Sequence, residues 1–127
     1  MIDFNPSRET KVSEYFTRKE FECSCGCGFS TVDAQLLVFL DHLREQFGAI
    51  KINSAARCYD HNMAIGGAEY SCHMRGIAAD IVPLDHDIGD VFNYISSIFT
   101  EHGGAIWYKS KGIIHIDIAL RNYIEVK

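Results

Sequence analysis

The chain is organised around residues 71–80, which read SCHMRGIAAD. A glycine and a run of small apolar residues separate His73 from Asp80, and both residue types are ligands that zinc accepts. The run IAADIV over 77–82 predicts a buried strand, which would place the Asp80 carboxylate among apolar side chains. Because a buried carboxylate is costly unless a cation or strong hydrogen bonds compensate it, this stretch indicates a metal site.

A third ligand is offered by a second predicted strand, IIHIDIAL, over 113–120. Its alternation places His115 and Asp117 on one face and Ile114, Ile116 and Ile118 on the other. His73 from a loop could then meet Asp80 and His115 from two strands. Two histidines and one carboxylate with an open fourth position form the ligand pattern of a catalytic zinc, which activates a water as a nucleophile.

Each of these residues also has a structural interpretation. A lone histidine in an apolar strand is more often a satisfied core residue than a ligand, and loop amides could satisfy Asp80. Asp117 could accept a proton from the water or could orient a ligand. Arg57, in the polar loop over 54–62, is either a solvated cation or a clamp for a substrate carboxylate. The residue pattern leaves these alternatives open.

The composition of the 127 residues predicts one globular domain over 1–127, with 47% apolar and 23% charged residues. A net charge of −5 and a pI near 5.6 argue against non-specific nucleic-acid binding. No apolar run is long enough to span a membrane, and the N-terminal sequence does not resemble a secretory signal. We therefore expect a monomer that is synthesised in the cytoplasm and binds neither nucleic acid nor membranes.

Five cysteines are present, at positions 23, 25, 27, 58 and 72. An odd number without a secretory signal argues against a disulfide framework. The run CSCGC over 23–27 is tighter than the usual C-x-x-C zinc knuckle, but Cys58 or Cys72 could complete a second, structural metal site. Packing as small apolar side chains is the favoured alternative for Cys23, Cys25 and Cys27.

The periodicity of the chain predicts an α+β fold, with helices packed on a small, mostly antiparallel sheet and the zinc site at the sheet. An irregular lead-in over 1–16 precedes a capped helical turn over 17–21. The first long helix is expected to begin after Ser30 as N-cap and to end at Gly48. The remaining predicted elements are a strand over 49–54, a short helix over 60–65, the strand over 77–82, a helix over 87–99, a hairpin of 105–109 with 113–118, and an edge strand over 122–126.

These motifs together resemble the zinc D-Ala-D-Ala carboxypeptidase and L-alanyl-D-glutamate endopeptidase family. Its pattern is Ser-x-x-Arg, then Asn, Gly-Gly and Ser-x-His-x-x-Gly-x-Ala-x-Asp, followed by a distal histidine. The matching positions lie between residues 17 and 120 and are Ser54, Arg57, Asn62, Gly66, Gly67, Ser71, His73, Gly76, Ala78, Asp80 and His115. The lead-in FECSCGCGF is similar to a small, single-domain branch that includes phage endolysins.

The resemblance implies a metallopeptidase that cuts peptidoglycan stem or cross-link peptides and degrades the cell wall, as carboxypeptidase or endopeptidase. It implies zinc held by His73, Asp80 and His115, and a substrate peptide held by Arg57 and Ser71. Release of the phage type would carry such a chain to the wall.

One position departs from the family pattern. Many members place a catalytic acid three residues before the distal histidine, where this chain has Gly112. Asp117 is therefore the best candidate for the catalytic base. A similar signalling domain keeps zinc without hydrolysing peptides, so a zinc-stabilised, non-catalytic module that binds cell-wall peptide is the alternative function.

Overall fold

A computed structural model of the chain describes residues 10–68 and 71–127. This part contains three α-helices and one mixed five-stranded sheet, so the predicted α+β fold is confirmed. The helices are α1 (Ala34–Phe47), α2 (Tyr59–Ala64) and α3 (Ile88–Ile98). The strands are β1 (Ile50–Ser54), β2 (Ala78–Pro83), β3 (Gly103–Tyr108), β4 (Ile113–Asp117) and β5 (Asn122–Val126). No helix within these described ranges has the length and apolar character needed to cross a membrane.

The strands lie in the order β1-β2-β4-β3-β5. The pairs β1–β2, β2–β4 and β3–β4 are antiparallel, and β3 with β4 forms the predicted hairpin. The edge strand β5 runs parallel to β3. The register of β2 with β4 sets Asp80 opposite His115 and Ala78 opposite Asp117. The pairing of the two strands therefore brings two of the predicted ligands, Asp80 and His115, directly beside each other.

The other face of the same strands forms the core. Ile114 and Ile116 of β4, which alternate with His115 and Asp117, are fully buried, as predicted. They join one apolar cluster with Ile81 of β2 and with residues of α1 and α3, namely Leu36, Leu40, Leu43, Val91, Phe92 and Ile95. Burial of each such aliphatic side chain contributes about 1.5–3 kcal/mol. The strand alternation thus separates the polar face of the sheet from the face that stabilises the fold.

Helix α1 begins later than predicted. Its N-cap is Asp33, whose carboxylate accepts a hydrogen bond from Gln35 N at 2.7 Å, and Ser30 lies outside the helix. The Asp33 N–H donates to the carbonyl of Gly76 at 2.8 Å, so the preceding chain is held against the turn that follows His73. A Cβ at Gly76 would lie 2.7 Å from the Thr31 carbonyl oxygen, so this close approach requires glycine. Gly48 ends the helix, as predicted.

The lead-in is only partly covered, because residues 1–9 of the predicted 1–16 segment lie outside the described residues. From residue 10 onward it is not a loose arm, since Lys11 and Thr17 form an antiparallel bridge. Phe16 is fully buried and packs edge-on against Phe21 with ring centroids 5.8 Å apart. The predicted helical turn is a 3-10 helix, Arg18–Phe21, and the Glu20 carboxylate accepts from Thr17 N at 2.8 Å.

Candidate metal centre

Three chain segments bring the predicted metal ligands to the polar face of the sheet. Asp80 lies in β2, His115 lies opposite it in β4, and His73 belongs to a 3-10 helix, Cys72–Arg75, immediately before β2. One donor atom from each residue lies within 4.8 Å of the other two, close enough for all three to hold one metal ion. The sheet register supplies two of these donors, and the short helix supplies the third.

Both imidazole rings direct a nitrogen at the same carboxylate oxygen. His115 Nδ1 lies 3.0 Å from Asp80 Oδ1, and His73 Nε2 lies 3.4 Å from that atom. The two rings meet edge to face, with centroids 5.2 Å apart and planes at 63°. The three donors therefore converge on one point instead of being satisfied separately in the core.

The second nitrogen of each ring is held by a hydrogen bond. His73 Nδ1 donates to the Ala55 carbonyl at 2.7 Å, and His115 Nε2 donates to Asp117 Oδ2 at 3.0 Å. Such bonds fix the tautomer of a ligating imidazole and leave its other nitrogen free to coordinate. Two neutral imidazole nitrogens and one carboxylate fit zinc, so the residues present match the chemistry of that ion.

The electrostatics of the centre also favour a bound cation. Burial raises the pKa of Asp80, but its contacts with the His115 and His73 imidazoles hold that pKa well below its usual range. Burial lowers the pKa of His115, but hydrogen bonds to Asp117 and Asp80 outweigh it and raise the pKa to about 9. Two carboxylates thus share one imidazole. The raised pKa favours a proton on His115, and a metal ion bound to its Nδ1 would take the place of that proton.

Asp117 lies behind His115 and is fully buried. Its Oδ1 accepts from Ala119 N at 3.1 Å, and its Oδ2 accepts from His115 and from the Tyr123 hydroxyl. Burial and the contact with Asp117 raise the pKa of Tyr123, so its hydroxyl stays a donor. With both oxygens engaged away from solvent, Asp117 has the geometry of a residue that orients His115. Its predicted role as a catalytic base stays a prediction.

Tyr123 reaches Asp117 because β3 carries a glycine beside it. Gly104 is paired with Tyr123 in the parallel β3–β5 register. A Cβ at Gly104 would lie 2.2 Å from the tyrosine ring. The sequence indicated neither this contact nor the support of His115 by Tyr123, because both depend on the parallel placement of the edge strand.

The donors open onto a cleft of about 410 Å³. Its lining residues come from the loop after β1, the segment after α2, the 3-10 helix with its N-cap, β2 and the β3–β4 hairpin. They are Arg57, Gly66, Gly67, Ala68, Ser71, His73, Asp80, Tyr108, Lys111, Ile113 and His115. The predicted ligands and both predicted substrate-binding residues therefore share one cavity. Tyr108 and Lys111 were not predicted, and only their position at the turn of the predicted hairpin could have suggested them.

Arg57 is held in place inside this cleft. Its Nη1 donates to Asn62 Oδ1 at 3.0 Å, and the fully buried Asn62 donates through Nδ2 to the Ala68 carbonyl at 2.8 Å. A Cβ at Gly67 would lie 2.2 Å from Asn62 Oδ1 and 3.1 Å from Arg57 Nη1, so the glycine makes room for the pair. A braced, half-buried guanidinium differs from a solvated loop cation, because its direction is fixed.

Ser71 contributes to the same wall of the cleft. Its hydroxyl oxygen accepts from His73 N at 3.2 Å and so caps the short helix that carries His73. The hydroxyl hydrogen is not used in that bond, so the group can still donate to a molecule in the cleft. Ser71 therefore helps to position His73, and its predicted role in binding the substrate stays a prediction.

Gly112 lies in the turn of the β3–β4 hairpin with a φ of +65°, and its N–H donates to the Tyr108 carbonyl at 2.9 Å. This left-handed conformation strains any residue with a Cβ, so the turn does not readily carry an acid at this position. Within residues 10–68 and 71–127, Asp80 is the only carboxylate that lines the cleft.

A family model described as Peptidase M15 matches residues 14–117, which is more than half of the chain. The chain belongs to the peptidase M15 family. M15 peptidases are zinc-dependent metallopeptidases, so the predicted hydrolase class and the predicted zinc cofactor are confirmed. In general terms, the family supports a peptide substrate and an action on peptidoglycan. No curated protein matched the chain.

Proposed function

We propose that this M15 chain hydrolyses peptide bonds in peptidoglycan stems or cross-links, with His73, Asp80 and His115 as the zinc ligands. The observation that carries the proposal is the convergence of three donor atoms, within 4.8 Å of one another, on an open cleft. Three protein ligands and an accessible fourth position are typical of catalytic zinc, whereas structural sites close with four.

The protein residues around the ion have separable tasks. Bound zinc would polarise the scissile carbonyl and lower the pKa of a water molecule. The Ala55 carbonyl and the Asp117 carboxylate hold the two histidine rings in their coordinating tautomers. In this proposal Asp117 orients His115, which is one of the two roles predicted for Asp117. The alternative role is to accept the proton from the water molecule.

Arg57 is proposed to bind a carboxylate of the substrate. The guanidinium lies in the same cleft as the three donors and is braced by Asn62. A planar guanidinium binds a carboxylate through two parallel hydrogen bonds, which fixes the distance between that carboxylate and the scissile bond. Ser71 donates its hydroxyl hydrogen to the peptide beside it. This arrangement supports a D-Ala-D-Ala carboxypeptidase or an endopeptidase that recognises a nearby carboxylate.

A second candidate function, a zinc-stabilised module that binds cell-wall peptide without cutting it, is favoured by one observation. Gly112 replaces the acid of many M15 members, and no other described residue supplies a second carboxylate to the cleft. Water activation would then lack a carboxylate base, although peptide binding through Arg57 and Ser71 would remain.

The two functions are separated by incubating the zinc-loaded chain with purified peptidoglycan fragments and identifying products by mass spectrometry. The peptidase proposal expects cleavage that a chelator stops and added zinc restores. His115→Ala should abolish cleavage, whereas His102→Ala, an exposed histidine away from the cleft, should not. Zinc and peptide binding without any cleavage would reject the peptidase and support the binding module.

A further inference from the structure

Four of the five cysteines converge at a second place in the molecule. Cys23, Cys25 and Cys27 lie in the loop after the first 3-10 helix, and Cys58 is the N-cap residue of α2. Their four sulfur atoms lie within 4.8 Å of one another. Cys58 is 35 positions from Cys23, so the fold and not the local sequence brings this fourth thiol to the loop.

The sulfur spacing fits ligands around one ion. Sγ of Cys23 lies 3.5 Å from Sγ of Cys25 and 3.8 Å from Sγ of Cys58, and the Cys25–Cys58 separation is 3.7 Å. All are free thiols. Zinc–sulfur bonds of about 2.3 Å in a tetrahedron give sulfur–sulfur edges of about 3.8 Å, whereas a disulfide needs about 2.05 Å. The three separations among Cys23, Cys25 and Cys58 are close to the edges of such a tetrahedron, and the sulfur of Cys27 lies within 4.8 Å of them.

Apolar packing, the alternative favoured by the sequence, does not explain this cluster. Cys23 is buried, but Cys25 and Cys27 are exposed and Cys58 is half-buried. Exposed thiols gain little from burial of apolar area, and they have no strong attraction for one another. An ion bound by all four thiols would explain why they converge at the surface.

The surrounding backbone is arranged to stabilise thiolates. Cys58 N donates to Cys23 Sγ at 3.4 Å, His61 N donates to Cys58 Sγ at 3.4 Å, and Phe29 N donates to Cys27 Sγ at 3.5 Å. Amide donors of this kind orient metal-bound sulfur and support its negative charge. The loop itself is closed by Cys23 N donating to the Phe29 carbonyl at 2.7 Å.

We propose that Cys23, Cys25, Cys27 and Cys58 bind a second zinc ion in a closed, four-sulfur structural site. Four thiolates leave no open position, so this site does no hydrolysis. Soft sulfur ligands in tetrahedral spacing favour zinc over the hard divalent cations. The proposal stands independently of the peptidase proposal, because it uses different residues and a different surface.

The site has a consequence for the cleft. Cys58 directly follows Arg57 and caps α2, which carries the Asn62 that braces Arg57. Ala56 N also donates to the Phe21 carbonyl at 3.1 Å, next to the cysteine loop. An ion joining Cys58 to that loop would fix the segment that positions Arg57. The four-sulfur site is thus a structural support for the substrate-binding side of the cleft.

The test is the metal content of the full chain, purified under reducing conditions and loaded with zinc, together with the absorption spectrum after loading with cobalt. We expect two zinc ions per chain and thiolate-to-cobalt charge-transfer bands in the near ultraviolet. The double variant C25S/C27S changes two exposed side chains, so folding should survive, and it should lose one zinc ion and those bands. C72S, the matched control, removes the fifth thiol and should keep both.

His115→Ala makes the two sites distinguishable, because it should also lose one zinc ion but keep the charge-transfer bands. The proposal is overturned if the unaltered chain lacks thiolate bands, or if C25S/C27S retains two zinc ions. It is equally overturned if the mass of the chain without reductant shows a disulfide among these cysteines and no thiolate-bound metal.

Discussion

The two proposed metal centres of this molecule, one at the sheet and one in the cysteine loop, are built in opposite ways. At the sheet, the register of β2 with β4 sets Asp80 beside His115, and buried hydrogen bonds hold both rings. In the loop, three of four donors come from a short glycine-containing segment near the surface, and backbone amides support them. The sheet site has three donors and opens on a cleft, whereas the loop site has four donors.

The difference in donor number would let one small fold separate a site suited to catalysis from a site suited to stabilisation. An open site needs a rigid frame, because its three donors must keep their geometry while the fourth position exchanges ligands. A closed site supplies its own rigidity, because four thiolates and one ion cross-link a loop that has little apolar area to bury. If the two centres act separately, a substitution at one should leave the metal at the other in place.

The largest effect is expected from Asp80→Ala, which removes the oxygen that both histidines face. Loss of a metal that stabilises the transition state by several kcal/mol should lower the hydrolysis rate by about 1,000-fold or more. The variant should keep one zinc ion, in the loop. Peptide cleavage and zinc content measure both effects, with Asp90→Ala, an exposed acid on α3, as control. Full activity in Asp80→Ala would show that the metal is held elsewhere.

Much of the sheet site could be predicted from the sequence, because strand alternation determines which side chains share a face. His115 and Asp117 were expected on one face of β4 and were found there, and α1, α3 and the hairpin follow from their periodicity. Contacts that depend on the tertiary fold could not be settled. The sequence left open whether Cys58 or Cys72 joins the cysteine loop. It did not specify the parallel pairing of β5 or the hydrogen bond between Asn62 and Arg57.

Arg57→Ala is expected to act on substrate recognition and not on either metal. Losing a charged hydrogen bond of about 1.5–3 kcal/mol should lower kcat/KM by about 10–100-fold for a peptide with a free carboxylate. The same variant should change little for the matching carboxamide peptide, and its zinc content should equal that of the unaltered chain. Steady-state kinetics on both peptides measure this, with the exposed Arg75→Ala as control. An equal loss on the two peptides would argue against a carboxylate clamp.

Asp117→Asn separates the two roles of that residue. If Asp117 holds the His115 ring, replacing it should weaken zinc affinity at the sheet site by about 10–100-fold and lower activity in parallel. The thiolate bands of the cobalt-loaded loop site should not change. Competition with a chelator of known affinity measures the sheet site. A loss of activity with unchanged zinc affinity would instead indicate that Asp117 accepts the proton from water.

The smallest effect is expected from Tyr123→Phe, which removes one of the donors to Asp117. A single hydrogen bond contributes about 0.5–1.5 kcal/mol, so zinc affinity at the sheet site should fall only a few-fold. Ala119 N and His115 continue to hold the carboxylate. The same chelator competition measures the change, with the exposed Tyr59→Phe as control. A loss of zinc affinity as large as that of Asp117→Asn would show that Tyr123 does more than donate one hydrogen bond to Asp117.

The most direct test of the central claim is X-ray diffraction from crystals of the zinc-loaded chain, measured on either side of the zinc absorption edge. The account predicts an anomalous peak bounded by His73 Nε2, Asp80 and His115 Nδ1, open to the cleft, with Asp117 bonded to His115 and not to the ion. A peak absent from this position, or an ion coordinated by Asp117 in place of Asp80, would contradict it.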